Sequence, residues 1–170
     1  MIYLNLGSNL SSIYGDRKDN INKALDLLEK NKIKILKKSN YYETPSYPET
    51  KNPKFINLCC SIKFKYPVTI LLEIIKNIEK KMGRIRTEKN KPRICDIDII
   101  DFNELILNTK HLKLPHPRMH LRNFVLFPLL ELNPEWRHPI FNKKIDKFIE
   151  ELSIKSRIEI TRLKKNAINY

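Results

Sequence analysis

PRICDIDIID, residues 92–101, places Arg93 three positions ahead of Asp96 and then alternates Asp96, Ile97, Asp98 and Ile99. Successive side chains of a strand point to opposite faces, so the alternation predicts a strand whose Ile97 and Ile99 enter a core while both carboxylates share the other side. Two carboxylates so placed repel unless a cation lies between them or one takes a proton. Hard oxygen donors with no His or Cys on their own strand face suit Mg2+, which keeps water and draws phosphate oxygens into its shell. An exposed face whose acids pair with lysines is the other reading; Arg93 nearby favours the first, because a metal site beside an arginine describes polyphosphate recognition. Asp101 falls on the opposite parity beside Asn103 and reads as a turn former.

Working outward, the same strand closes a recognisable order of elements. IYLNLG (2–7) alternates as a strand, with Ile2, Leu4 and Leu6 on one face. Asp16 or Asp19 can cap a helix carrying Ile21, Ala24, Leu25 and Leu28 at helical spacing. KIKILKKSNYYE (32–43) reads as a second strand, the proline-rich stretch from Thr44 to Pro53 as a loop, and FINLCCSIKF (55–64) as a third strand. Pro67 then stands at a helix start, Ile70, Leu71, Ile74, Ile75 and Ile78 form an apolar stripe, and Gly83 occupies a C′ position. After a basic loop, 84–94, the opening strand completes β-α-β-β-α-β. This predicts an α+β fold with a ferredoxin-like core, an antiparallel sheet with helices packed on it. C-terminal additions follow: short segments at LILN and LKLP, helices in RNFVLFPLLEL (122–132) and KKIDKFIEEL (143–152), and a strand in RIEITRL (157–163).

With 170 residues, 41% of them hydrophobic, the chain has material for one core, so 1–170 is read as a single domain. The start reads as a strand and not a signal peptide, no apolar run approaches bilayer-spanning length, and a cytoplasmic location is expected. Cys59, Cys60 and Cys95 form neither a disulfide framework nor a CxxC pair and read as buried apolar residues. The net charge of +14 comes largely from scattered lysines, whereas Arg84, Arg86, Arg93, Arg118 and Arg122 cluster centrally. Planar guanidinium forks in a cluster suit a compact phosphate site better than a nucleic-acid track.

LGSNL (6–10), YETP (42–45), FIN (55–57), IEKKMGRIR (78–86), PRICDIDII (92–100) and LPHPRMHLRNFVLFPLLELNPE (114–135) occur in this order. Together they make the chain resemble the 6-hydroxymethyl-7,8-dihydropterin pyrophosphokinases of folate biosynthesis. The resemblance implies transfer of pyrophosphate from ATP, the co-substrate, to the pterin alcohol, with Asp96 and Asp98 holding two Mg2+ ions. It implies that Arg84 and Arg93 meet the phosphates, and that Glu79, Arg86, Ile99, His116 and Arg122 lie on the nucleotide side. It places the pterin between Phe55 and Phe124, with Thr44, Pro45, Tyr47 and Asn57 around it; an amide such as Asn57 can both donate and accept, as a pterin edge requires. Stacking suits a flat heteroaromatic ring. The chain departs from the family in Asn90 and Lys91, where an aromatic and a small residue are common, and in His111, Lys113 and Pro117 at nucleotide-contacting positions. Two alternatives stand beside this reading: a pyrophosphokinase with another alcohol acceptor, and an RNA-binding module built on a ferredoxin-like sheet. The expected partners are the two small substrates, without nucleic acid or membrane, on a monomer.

Overall fold

A computed structural model describes residues 1–47, 50–84 and 91–163. Its elements are β1 (Ile2–Ser8), α1 (Arg17–Lys30), β2 (Lys34–Lys38), β3 (Tyr42–Thr44), β4 (Phe55–Lys63), α2 (Val68–Lys81) and β5 (Asp96–Phe102), then β6 (Leu107–Asn108), β7 (Lys113–Leu114), α3 (Asn123–Leu132), α4 (Ile145–Glu151), α5 (Ile154–Ile158) and β8 (Thr161–Arg162). The main sheet runs β5-β1-β4-β3-β8, with β2 also on β4, and every pairing is antiparallel. With β2 and β3 counted as one interrupted strand, this order is compatible with a split β-α-β core.

The alternation in β1, β4 and β5 sorts side chains into two layers. Leu4, Leu6, Leu58, Cys60, Ile97 and Ile99 pack with Ile21, Leu25, Leu71 and Ile75 of α1 and α2. Tyr3, Cys59 and Ile100 pack on the opposite face with Val125, Leu126 and Leu129 of α3 and with Phe148 of α4. The C-terminal additions therefore cover the middle of the second face. All three cysteines are buried and free, as expected. Among the described residues no helix is long and apolar enough to cross a membrane.

Local chemistry sets the element ends. Asp16 caps α1, accepting from the Lys18 and Asp19 amides, and the Asp19 carboxylate accepts from the Asp16 amide in return. The single strand expected over 32–43 is broken at Ser39, whose hydroxyl accepts from the Cys59 amide (3.0 Å) while its own amide donates to the Cys59 carbonyl (2.9 Å). A side chain thus takes one place in the ladder, and the pairing slips by a residue. The strand expected over 157–163 begins inside the short helix α5, which is started by Ser153 accepting from the Ser156 amide and ends at Ile158; only Thr161 and Arg162 pair, with β3.

Asp101 shows why parity alone misleads. The β1–β5 register shifts between Tyr3 and Leu4, so Tyr3 faces Asp101 while Leu4 faces Ile99. Asp101 is consequently buried, accepting from the Trp136 indole N–H (2.8 Å) as well as from the Glu104 amide (2.8 Å) that closes the turn. Asp101→Ala should cost about 2 kcal/mol, because the buried indole N–H loses its acceptor. Denaturant unfolding followed by the fluorescence of Trp136, the chain's one Trp, reads this directly, and an unchanged midpoint contradicts the arrangement.

Candidate active site

At one end of the second face a row of directly paired residues crosses four strands: Asp96, Gly7, Asn57 and Tyr42. The next row inward pairs Asp98 with Asn5 and Asn5 with Cys59. The expected common face of Asp96 and Asp98 is thus realised, with Ile97 and Ile99 in the opposite core.

Arginines converge on the two acids from separate segments. The α2 C-terminus ends in a Schellman turn: Gly83, at φ 88°, donates its amide to the Lys80 carbonyl (3.0 Å), and Arg84 donates its amide to the Glu79 carbonyl (3.0 Å). A residue with a Cβ adopts that left-handed conformation only with strain. The turn folds Arg84 back so that its Nη1 meets both Glu79 Oε1 and, at 2.5 Å, Asp96 Oδ1. Glu79 is buried, and its Oε1 also accepts from the Ile97 amide (2.9 Å), tying helix α2, strand β5 and Arg84 together. It holds an arginine in place, a role its position at the end of a helix does not reveal. Arg93 reaches the other oxygen of Asp96 (Nη1 to Oδ2, 3.1 Å).

Arg122, immediately before α3, places Nη1 3.4 Å from Asp98 Oδ2, and His116 Nε2 lies 3.9 Å from the same oxygen. His116 Nδ1 accepts from the Arg118 amide (3.2 Å), which leaves the proton of the neutral ring on Nε2. Burial and the adjacent Arg122 and Arg118 lower its pKa to about 4, so it is neutral at physiological pH. Asp98 keeps some exposed surface but sits deep among protein atoms. That burial first, and the Asp96 charge second, push its pKa up to about 7, against the pull of Arg122 and Arg84.

Gly7 stands beside the acids in close contact with the residues expected to read an acceptor: a Cβ there would lie 3.1 Å from Asn57 Oδ1 and 3.6 Å from Phe55 Cδ1, so the absent side chain lets Asn57 approach β1 closely. Asn57 is buried and donates Nδ2 to Thr44 Oγ1 (3.1 Å), which fixes its amide. Phe55 is half-buried under the Arg93 guanidinium (5.5 Å to the ring centroid), and Phe124 lies under that of Arg122 (5.3 Å). Each expected stacking ring is therefore tied to one of the acids through its own arginine.

Not every expected residue joins this group. Pro45 is half-buried next to Thr44, Tyr47 projects into solvent, and the Ile99 side chain is in the helix-side core, so nothing but its backbone is open to a ligand. A nucleotide-side role for Ile99 would therefore fall to its backbone, because Ile97 and Ile99 both face α1 and α2. Arg86 and Asn90, with the rest of 85–90 in the basic loop, lie outside the described residues.

The donor set fits a hard divalent cation. Among the described residues no cluster of three or more His, Cys, Asp or Glu side chains surrounds a metal position, so Asp96 and Asp98 would supply two oxygens and leave the rest of the shell to water and phosphate. Asn5 Oδ1 and Arg93 Nε, both buried here, lack hydrogen-bond partners among the described residues, leaving polar capacity at the site.

The family profile described as 7,8-dihydro-6-hydroxymethylpterin-pyrophosphokinase (HPPK) matches residues 3–134. The chain belongs to the HPPK family. It is 38% identical over 154 residues to the 2-amino-4-hydroxy-6-hydroxymethyldihydropteridine pyrophosphokinase of Aquifex aeolicus, covering 91% of this chain and 93% of the relative. It is 40% identical over 139 residues to the folic acid synthesis protein FOL1 of Dictyostelium discoideum, covering 82% of this chain but 20% of that protein. This HPPK chain thus spans about a fifth of that longer relative. A crystal structure of Plasmodium falciparum HPPK-DHPS with pteroate superposes with a TM-score of 0.71 at 18% identity, over 95% of this chain and 47% of the other, which supports the fold.

Proposed function

We propose that this chain transfers the pyrophosphoryl group of ATP to the hydroxymethyl oxygen of 6-hydroxymethyl-7,8-dihydropterin, releasing AMP. The observation that carries the reading is the pair Asp96 and Asp98 on one strand face, ringed by Arg84, Arg93 and Arg122, with Asp96 standing in the same strand row as Gly7 and Asn57. The acceptor oxygen attacks the β-phosphorus, the bond from that phosphorus to the bridging oxygen breaks so that AMP leaves with the oxygen, and the hydroxyl proton is lost to water. Asp96 and Asp98 would hold two Mg2+ ions, which when bound offset charge on the phosphates.

In this reading Arg84 and Arg93 leave Asp96 for phosphate oxygens once cations replace them on the acid. Their fixed guanidinium forks then stabilise charge that develops in the transition state. Arg122 and neutral His116 flank Asp98 on the nucleotide side. Asn57, held by Thr44, reads the polar edge of the pterin, and Phe55 and Phe124 offer ring faces to it. The second helical layer covers the middle of the sheet face on which an RNA-binding sheet of this topology stacks bases, which favours the enzyme over that alternative.

The test is AMP formation from Mg-ATP with a panel of alcohols, including 6-hydroxymethyl-7,8-dihydropterin, thiamine and ribose 5-phosphate. AMP should appear in step with the pterin diphosphate and stay at background with the other acceptors. Turnover confined to a different alcohol would replace the acceptor assignment.

A further inference from the structure

The GSNL segment, residues 7–10, includes an asparagine that the chemistry above does not use. Asn9 is buried at 2% exposure and reaches three separate parts of the chain. Its amide donates to the Arg93 carbonyl (3.1 Å), and its side-chain Oδ1 accepts from the Arg93 amide (2.6 Å). Its Nδ2 donates to the Pro53 carbonyl (3.1 Å) and to Ser46 Oγ (3.4 Å), while Ser46 Oγ itself donates to the Pro53 carbonyl (2.6 Å). One side chain therefore pins the end of β1, the segment that leads into β4 and the segment that leads into β5.

The segments joined in this way carry opposite halves of the site. Phe55 follows Pro53 by two residues on the acceptor side. Arg93 brings its guanidinium onto Asp96 (3.1 Å) and over the Phe55 ring (5.5 Å). A primary amide presents an acceptor and a donor a fixed distance apart, so it can hold a backbone N–H on one segment and a carbonyl on the other simultaneously. In a buried position each of those bonds is costly to leave unmade, so displacing one segment weakens the anchor of the other.

We infer that Asn9 is a positioning residue that couples the seating of the acceptor against Phe55 to the placement of Arg93 on the nucleotide. The inference rests on the pyrophosphokinase reading and deepens it. A ligand that steadies either segment steadies the Asn9 bonds, and through them the other segment, so each substrate raises the affinity for its partner by the same factor.

The test is calorimetry of 6-hydroxymethyl-7,8-dihydropterin binding with and without Mg2+ and a nonhydrolysable ATP analogue. The wild-type ratio of dissociation constants should be at least about fivefold, the lower end of ordinary coupling. Asn9→Ala should bring the ratio close to one while the analogue alone binds much as before and the melting transition stays cooperative. Asn9→Asp keeps the acceptor for the Arg93 amide but sets an oxygen against the Pro53 carbonyl. It should lose the coupling yet keep more of the saturated turnover than Asn9→Ala, a split that a merely structural role would not produce. Should Asn9→Ala fail to fold, Asn9→Asp decides the question by itself. An undiminished ratio in a folded variant, or a wild-type ratio of one, overturns the inference. Failure of the wild type to bind either ligand overturns instead the pyrophosphokinase reading.

Discussion

Asp98→Asn is expected to reduce pyrophosphoryl transfer by about a thousandfold or more and, in the same chain, to raise the melting temperature of the ligand-free protein above pH 7. The first effect follows from losing one of two oxygens in a site where cations offset several kcal/mol of transition-state charge, each 1.36 kcal/mol being about tenfold in rate. The second follows from the raised pKa of the wild-type carboxyl, about 7, against roughly 3.9 in an unfolded chain. Between those values the folded state holds more protons than the unfolded one, so stability falls as pH rises through the window, and the whole cost is present above it. Asparagine has a similar shape and never ionises. The stability advantage of the variant should therefore grow from about pH 4 to about pH 7 and then level off. Melting curves across that range, run beside AMP formation, check both halves. A variant that transfers pyrophosphate normally contradicts the metal assignment, and one that melts with the wild type at every pH contradicts the account of Asp98.

Arg93→Ala and Arg84→Ala should both lower kcat by roughly 10²- to 10³-fold, as the removal of one preorganised donor does, yet they should part in stability. Arg93 pairs with a partly exposed Asp96, and its backbone stays fixed by Asn9 after the side chain is gone. Its loss should leave the melting temperature close to that of the wild type. Arg84 is a guanidinium partner of Glu79, which is 2% exposed in its side chain. Stripping it away removes a guanidinium from a buried carboxylate that also accepts from the Ile97 amide, a change that should lower stability by about 1–3 kcal/mol. Turnover at saturating substrates and denaturant midpoints for the two variants make the comparison. Equal stability would mean that the tie between α2, β5 and Arg84 is not energetically important.

The features legible in the sequence were those with a strict local period or a single admissible residue. Alternation put Asp96 and Asp98 together on one face; the stripe from Ile70 to Ile78 and the glycine at 83 defined α2 and its end; and the pair Asp16 and Asp19 marked the start of α1, without saying which of them is the cap. What stayed hidden depends on contacts between distant segments. Ser39 interrupts a strand by inserting its hydroxyl into a ladder, a use of serine that no periodicity signals. The register shift beside Tyr3 turns Asp101 inward, and only the pairing with β1 shows it. Glu79 looks like one more charge on a polar helix end until β5 and Arg84 are seen to close over it. Ile99 illustrates the converse: strand parity already places its side chain in the core, and the nucleotide-side role came from resemblance alone.

The most direct measurement is a crystal structure of the protein with Mg2+ and a nonhydrolysable ATP analogue. The account predicts carboxylate oxygens of Asp96 and Asp98 at about 2.0–2.1 Å from Mg2+ ions that also touch the phosphates, with Arg84 and Arg93 moved from Asp96 onto phosphate oxygens. Phosphates bound away from β5, with Asp96 still held by both arginines and no metal on either acid, would contradict it.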